Sequence, residues 1–248
     1  MNLLMDIGNS RIKSAVTTAT AIRELVTFPC STDNCRTVLA DQLQGLEVPK
    51  KILISNVAGP AIADLIRTFV RENWNLEPCF VPVAREWGGL VNGYTEIEQL
   101  GVDRWLALLA AWEKYHSFIC VVSCGTAVTI DIATAGGRHL GGLIIPGFEL
   151  MQRTLNQATQ GINATITRDP IRAPGATTDA CVSNGALYAI SSLLDRVMDD
   201  LEAQHGATPE LLLTGGDAVL IGRCLSHTFR LNPGLVLEGL AVIAGKDA

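Results

Sequence analysis

Two stretches of this chain repeat one another half a chain apart. "LLMDIGNSRIKSAV" (3–16) and "CVVSCGTAVTIDIA" (120–133) each place an apolar run, a glycine turn and an alternating run in succession. Asp6-Ile7-Gly8-Asn9 aligns with Ser123-Cys124-Gly125-Thr126, an offset of 117 residues. An apolar run followed by a "GN"-type turn and a two-residue alternation reads as a β-hairpin with one wet face. In the first copy Ile12, Ser14 and Val16 share a face. In the second Val128, Ile130 and Ile132 do so, with Thr129 and Asp131 on the other side. Two similar α/β halves are the economical explanation, and 248 residues suffice either for one large domain or for two modest ones.

The rest of the chain supports this division. "KILISNV" (51–57) reads as a buried strand followed by a helix around Ala61–Asn73. "GVDRWLALLAAWEKY" (101–115) has apolar residues at helical spacing, with Asp103 and Arg104 in its first turn. Further helices are expected at Glu149–Gln157 and Asp179–Gln204, then a strand "ELLLTGG" and a terminal helix near Val236–Gly245. The expected domains are 1–116 and 117–248.

Composition excludes several classes. With 48% hydrophobic and 18% charged residues the chain is globular. A net charge of −6, with no Lys/Arg cluster larger than a pair, argues against nucleic acid or an anionic membrane as partner. Seven cysteines (30, 35, 79, 120, 124, 181, 224), odd in number and without a CxxC pair, read as thiols of a cytoplasmic protein. No signal peptide or membrane span is expected, because Asp6 interrupts the first apolar run and no uncharged run approaches roughly 18 residues. The four histidines (116, 139, 205, 227) lack ligand spacing and read as surface or capping residues. "GLAVIAGK" has five residues between its glycines and no Ser/Thr after Lys246, so it is not a P-loop. Ser10-x-x-Lys13 matches the SxxK string but lies on a strand, with no KTG partner.

The paired turns have a chemistry. A glycine there lets backbone N–H groups approach a ligand, and flanking hydroxyls and amides suit phosphate oxygens. A carboxylate can hold Mg²⁺ through water while the metal bridges phosphates. Asp6, Gly8, Asn9 and Lys13 would form one half of a phosphate clamp, and Gly125, Thr126 and Thr129 the other. "LLLTGGDA" (211–218) adds a third turn suited to a flat base. Each turn alone reads first as a plain hairpin, and only the three together in half-chain symmetry point to a site; Asp103 alone reads first as a helix-start residue favoured by the macrodipole, and Arg104 also as a salt-bridge partner.

"DIGNSRIK", "LGVDRW", "CGTAVTID", "GGLIIPG", "LTGG" and "LVLEGL", in this order, closely resemble type III pantothenate kinases, members of the acetate and sugar kinase/Hsc70/actin superfamily. The resemblance implies two ribonuclease-H-like (actin-like ATPase) domains facing a nucleotide cleft, a homodimer, and ATP-dependent phosphorylation of pantothenate, the first step of coenzyme A synthesis. It also implies Mg²⁺ and a monovalent cation, K⁺ or NH₄⁺. By position, Asp6, Gly8, Asn9, Ser10 and Lys13 match the first phosphate motif, and Asp103 the catalytic aspartate. Tyr94, Gly101, Val102 and Arg104 match the substrate loop and helix start, although Ile97 stands where the family usually has proline. "GGLIIPG" (141–147) matches a loop and helix start on the substrate side, and Thr178, or its neighbour Thr177, a threonine that reaches a partner subunit's substrate. Ser123 stands where the family has an aspartate linked to the monovalent cation; serine supplies no compensating charge. Two other readings remain: a kinase of another small hydroxylated substrate, and a non-catalytic regulator on the same fold.

Overall fold

The computed structural model describes residues 1–18, 21–29 and 31–246. Cys30, one of the expected thiols, lies outside them. The chain forms two compact units. The first comprises Met1–Gly88, Tyr94–Lys114 and the segment from Gly234 on; the second comprises Gly89–Gly93 and Tyr115–Pro233.

The first unit is built on a five-stranded sheet in the order β3-β2-β1-β4-β5. Its strands are β1 (Asn2–Ile7), β2 (Arg11–Thr17), β3 (Ile22–Pro29), β4 (Ile52–Asn56) and β5 (Cys79–Phe80). β2 is antiparallel to both its neighbours, β1 and β3, whereas β4 is parallel to β1 and β5 to β4. Alternation along β1 divides its side chains. Leu3, Met5 and Ile7 pack with Leu39 of α1 (Cys35–Gln42) and with Ile66 and Phe69 of α2 (Pro60–Trp74). Leu4 and Asp6 point to the opposite face. After α2 come the two-residue strand β6 (Glu86–Trp87), then β7 (Leu90–Val91), which belongs to the second unit, and a 3₁₀ turn at Ile97–Gln99. Helix α3 (Val102–Tyr115) is buried on all sides from Arg104 to Trp112, which explains its nearly uninterrupted apolar sequence.

The second unit repeats the plan: β10-β9-β8-β11-β12. These are β8 (Ile119–Cys124), β9 (Ala127–Ala133), β10 (His139–Pro146), β11 (Glu210–Thr214) and β12 (Phe229–Leu231). Again three antiparallel strands precede two parallel ones. Cys120, Val122, Val128 and Ile130 pack on Phe148 of α4 (Phe148–Ala158), on Leu187, Ile190 and Leu194 of α5 (Thr178–His205), and on Ile221 of α6 (Ala218–Gly222). Strand order and direction thus match position for position, the signature of a duplicated ribonuclease-H-like unit.

Two expectations meet a different arrangement. "GGLIIPG" is not a loop: Gly141 to Pro146 pair with β9 as an edge strand, and Gly147 caps α4. Its two glycines and outward-facing apolar residues hide the strand pattern. Helix α7 (Leu235–Lys246), expected in the second half, packs on β1, β2 and β4 of the first unit. A Cβ at Gly239 would lie 2.2 Å from the Leu106 carbonyl oxygen, so α7 meets α3 at backbone distance and only glycine fits. Among the described residues no helix is long and apolar enough to cross a membrane.

Candidate active site

In the first unit Asp6 sits one residue before the end of β1, opposite Lys13 on β2 and Ser55 on β4. Gly8, Asn9 and Ser10 form the following turn, closed by the Gly8 N–H donating to the Arg11 carbonyl at 3.0 Å. The Asp6 Oδ1 atom is fully buried without a hydrogen-bond partner. Its carboxyl is pushed up from 3.8 to about 6, first by burial and then by the charge of Asp103; Lys13 and Ser55 pull the other way. The fold therefore brings two carboxylates from distant sequence into electrostatic range. A carboxylate pair with an orphaned, buried oxygen fits a hard divalent cation, which would offset the repulsion and draw its other ligands from phosphate and water.

Asp103 lies in the first turn of α3, its Oδ1 accepting from the Arg104 N–H at 2.9 Å. Gly101 and Val102 lead into that turn, with the Gly101 carbonyl accepting from the Trp105 N–H. Arg104 is buried, and one guanidinium nitrogen donates to the Tyr94 hydroxyl at 2.9 Å. Its carbon lies 5.7 Å from the Tyr94 ring centre. Asp103, Arg104 and Tyr94, matched separately by motif, are thus one connected group. A residue that carries no motif joins them: Arg85 donates to the carbonyls of Tyr94 and Thr95. On the other face of β1, a cavity of about 160 Å³ is lined by Gly8, Asn9, Ser31, Thr32, Ala58 and Ile62. Neither Ser31 nor Thr32 is singled out by sequence.

In the second unit three turns converge on the end of β8. The Gly125 N–H donates to the Ala127 carbonyl at 3.0 Å, and Gly147, at the start of α4, donates to the Thr126 carbonyl at 2.9 Å. Gly215 of the "LTGG" turn has φ +95°, and a Cβ there would lie 2.3 Å from the Cys124 carbonyl oxygen. Only glycine allows that approach. Asp217, also buried, donates its N–H to the same carbonyl, and its carboxylate accepts from Arg168 at 2.9 Å. Ser123 faces Thr129 on one side and Thr214 on the other. Thr177 is committed: its hydroxyl accepts from the Ala180 N–H and caps α5. Thr178 follows, exposed on the first turn.

The histidine expectation needs one correction. His139 is fully buried, its Nε2 lying 3.1 Å from Asp131 Oδ1, because the start of β10 folds it inward against β9. Cys120 and Cys124 are pushed up to about 12, chiefly by burial, and are inert thiols. Among the described residues no group of three or more His, Cys, Asp or Glu side chains is placed to hold a metal ion.

Comparison with known proteins agrees with this arrangement. A protein from Nitrosococcus oceani named type III pantothenate kinase is 35% identical over 98% of this chain and 94% of its own. One of the same name from Burkholderia vietnamiensis is 36% identical over 100% and 97%. Among solved structures, a protein of Campylobacter jejuni provisionally named a conserved Baf family transcriptional activator superposes with a TM-score of 0.62 at 22% identity, covering 99% of this chain and 98% of that one. MreB 5 of Spiroplasma citri, bound to AMPPNP, gives 0.52 at 8% identity over 99% and 96%. These two likenesses concern the fold, that of the actin-like ATPases and sugar kinases. The sequence model of the type III pantothenate kinases matches residues 2–200, and with the full-length relatives it shows that this chain belongs to the type III pantothenate kinase family.

Proposed function

We propose that this chain transfers the γ-phosphoryl group of ATP to the primary hydroxyl of pantothenate, giving ADP and 4′-phosphopantothenate, with Asp103 as the base. The observation that carries the reading is the pairing of Asp103 with Asp6, whose buried Oδ1 has no protein partner. An alcohol is too weak an acid to ionise unaided. The Asp103 carboxylate accepts its proton as the new O–P bond forms and the bond to the ADP oxygen breaks. Asp6 would hold Mg²⁺ through water, and the ion would supply charge neutralisation on the phosphates. Lys13 adds a fixed cation, while Asn9 and Ser10, and in the second unit Thr126 and Thr129, offer donors to phosphate oxygens from turns closed by the Gly8 and Gly125 N–H groups. Tyr94, Gly101, Val102 and Arg104 hold pantothenate.

The active form is a homodimer in this reading. Leu143 and Ile144 on edge strand β10 are 43% and 61% exposed, an apolar edge that a second copy would cover. Thr178, free of the capping duty that occupies Thr177, would reach the partner's pantothenate. A monovalent cation, K⁺ or NH₄⁺, would meet only neutral hydroxyls at Ser123, so its binding is weak or displaced. The protein works in the cytoplasm, where its substrates are.

The test is ADP release with ATP, Mg²⁺ and K⁺, comparing pantothenate with a panel of sugars and hydroxy acids. Turnover restricted to pantothenate is expected. Preference for a sugar would make this a different kinase, and ATP binding without turnover on any acceptor would make it a regulator on the same fold.

A further inference from the structure

Tyr94 belongs to a stretch, Gly93–Glu96, without regular secondary structure. A side chain asked to hold substrate from such a stretch needs its backbone fixed by something else. Arg85 does this. Its Nη1 donates to the Tyr94 carbonyl at 2.8 Å and its Nη2 to the Thr95 carbonyl at 3.1 Å, so one planar fork spans two successive peptide groups. At the far end of the same residue, Arg104 donates to the Tyr94 hydroxyl at 2.9 Å. The tyrosine is thus held at both ends: by its backbone from Arg85, and by its hydroxyl from the turn that carries Asp103.

We propose that Arg85 is a positioning residue for the acceptor substrate: it touches neither substrate nor phosphate, but fixes where Tyr94 stands relative to Arg104 and Asp103. This rests on the reading of Tyr94 as a pantothenate contact. The fork geometry matters, since an ammonium is a single point donor and cannot span two carbonyls in the same way. Arg85 is exposed, so its loss leaves no cavity and removes no buried charge. Its role is separable from folding.

The experiment compares wild type with R85A, R85M and R85K, by steady-state kinetics and by amide hydrogen exchange of the substrate-free protein. In R85A and R85M, KM for pantothenate should rise about tenfold, with kcat and KM for ATP within about twofold to threefold of wild type. Exchange at residues 94–96 should quicken, with the melting temperature and exchange elsewhere unchanged. R85K should recover part of both effects. Unaltered exchange at 94–96 would show that the fork does not hold the loop. Faster exchange with an unaltered KM for pantothenate would show that holding it does not position substrate. A wild type inactive on pantothenate overturns the functional reading and this inference together; an active wild type with an indifferent R85A overturns this inference alone.

Discussion

In the first unit, the strand entering the glycine turn places Asp6 between Lys13 on one neighbouring strand and Ser55 on the other; in the second, the same register places Ser123 between Thr129 and Thr214. The pairings around the two glycine turns correspond, with a turn that is one residue longer in the first unit. The chemistry does not coincide. One copy carries a buried acid and a base, and the acid is pushed up to about 6. The other carries three neutral hydroxyls in a row. Duplication thus preserved a way of presenting backbone donors and left the side chains at the turn free to diverge. At these matched positions the charged pair stands in the first unit and neutral hydroxyls stand in the second.

The comparison breaks most decisively at Asp103, at the start of α3, whose charge acts on the Asp6 carboxyl of the first unit. Asp103→Asn should lower kcat by about 10²–10⁴ with KM for ATP little changed, measured by coupled ADP release. Near-normal turnover would leave both turns as mere phosphate holders. Next comes Asp6→Asn, whose two effects have opposite sign. Activity should fall, be partly restored by raised Mg²⁺, and lose the limb on which wild-type kcat/KM rises with pH through about 6. Stability should move the other way. A carboxyl with a raised pKa stabilises the fold while protonated, fully below its ordinary 3.8, and that contribution is lost as pH rises through about 6. At pH 7 without ligands, Asp6→Asn should therefore be more stable than wild type by about 1–3 kcal/mol in urea unfolding.

Equivalent positions sharpen the contrast further. Lys13 and Thr129 occupy matching places beside Asp6 and Ser123. Lys13→Met should raise KM for MgATP about 10- to 100-fold and Thr129→Val only about 2- to 5-fold, because a fixed charge acts on phosphate more strongly than one hydroxyl. Equal effects would erase the distinction. The smallest effect is expected at Ser123→Asp. It should create a saturable dependence on K⁺ or NH₄⁺ of a few-fold, where the wild type shows little, in titrations against a bulky organic cation at constant ionic strength. Tight saturating activation of the wild type, no weaker than in the variant, would refute this.

Where hydrophobic period and element coincide, the chain could be read directly. β1, β4, β8, β11 and helices α2, α3, α4 and α5 stand within about two residues of their expected bounds, and the alignment of Asp6 with Ser123 survives as an equivalence of register. Elements held mainly by backbone pairing could not be read. β10 exposes most of its side chains and contains two glycines, and β12 is exposed throughout, so neither shows an inside and an outside. His139 could be placed against Asp131 only once the register of β9 and β10 was known. The role of Asp103 came from motif likeness, whereas its proximity to Asp6 is a tertiary fact. Arg85 acts on main-chain carbonyls, which leave no trace in a pattern of residue types.

The return of α7 to the first unit bears on the order in which the molecule is made. Synthesis delivers β1 to β5 and α3 first, then all of Tyr115–Pro233, and only then the helix that covers β1, β2 and β4 from the α3 side. While the ribosome works through the second unit, the first has an open face where α7 will lie. The second unit, continuous but for Gly89–Gly93, can close as soon as it emerges. The half that carries Asp6 and Asp103 is thus begun first and finished last, its open face covered by α7 only after the whole second unit has been made.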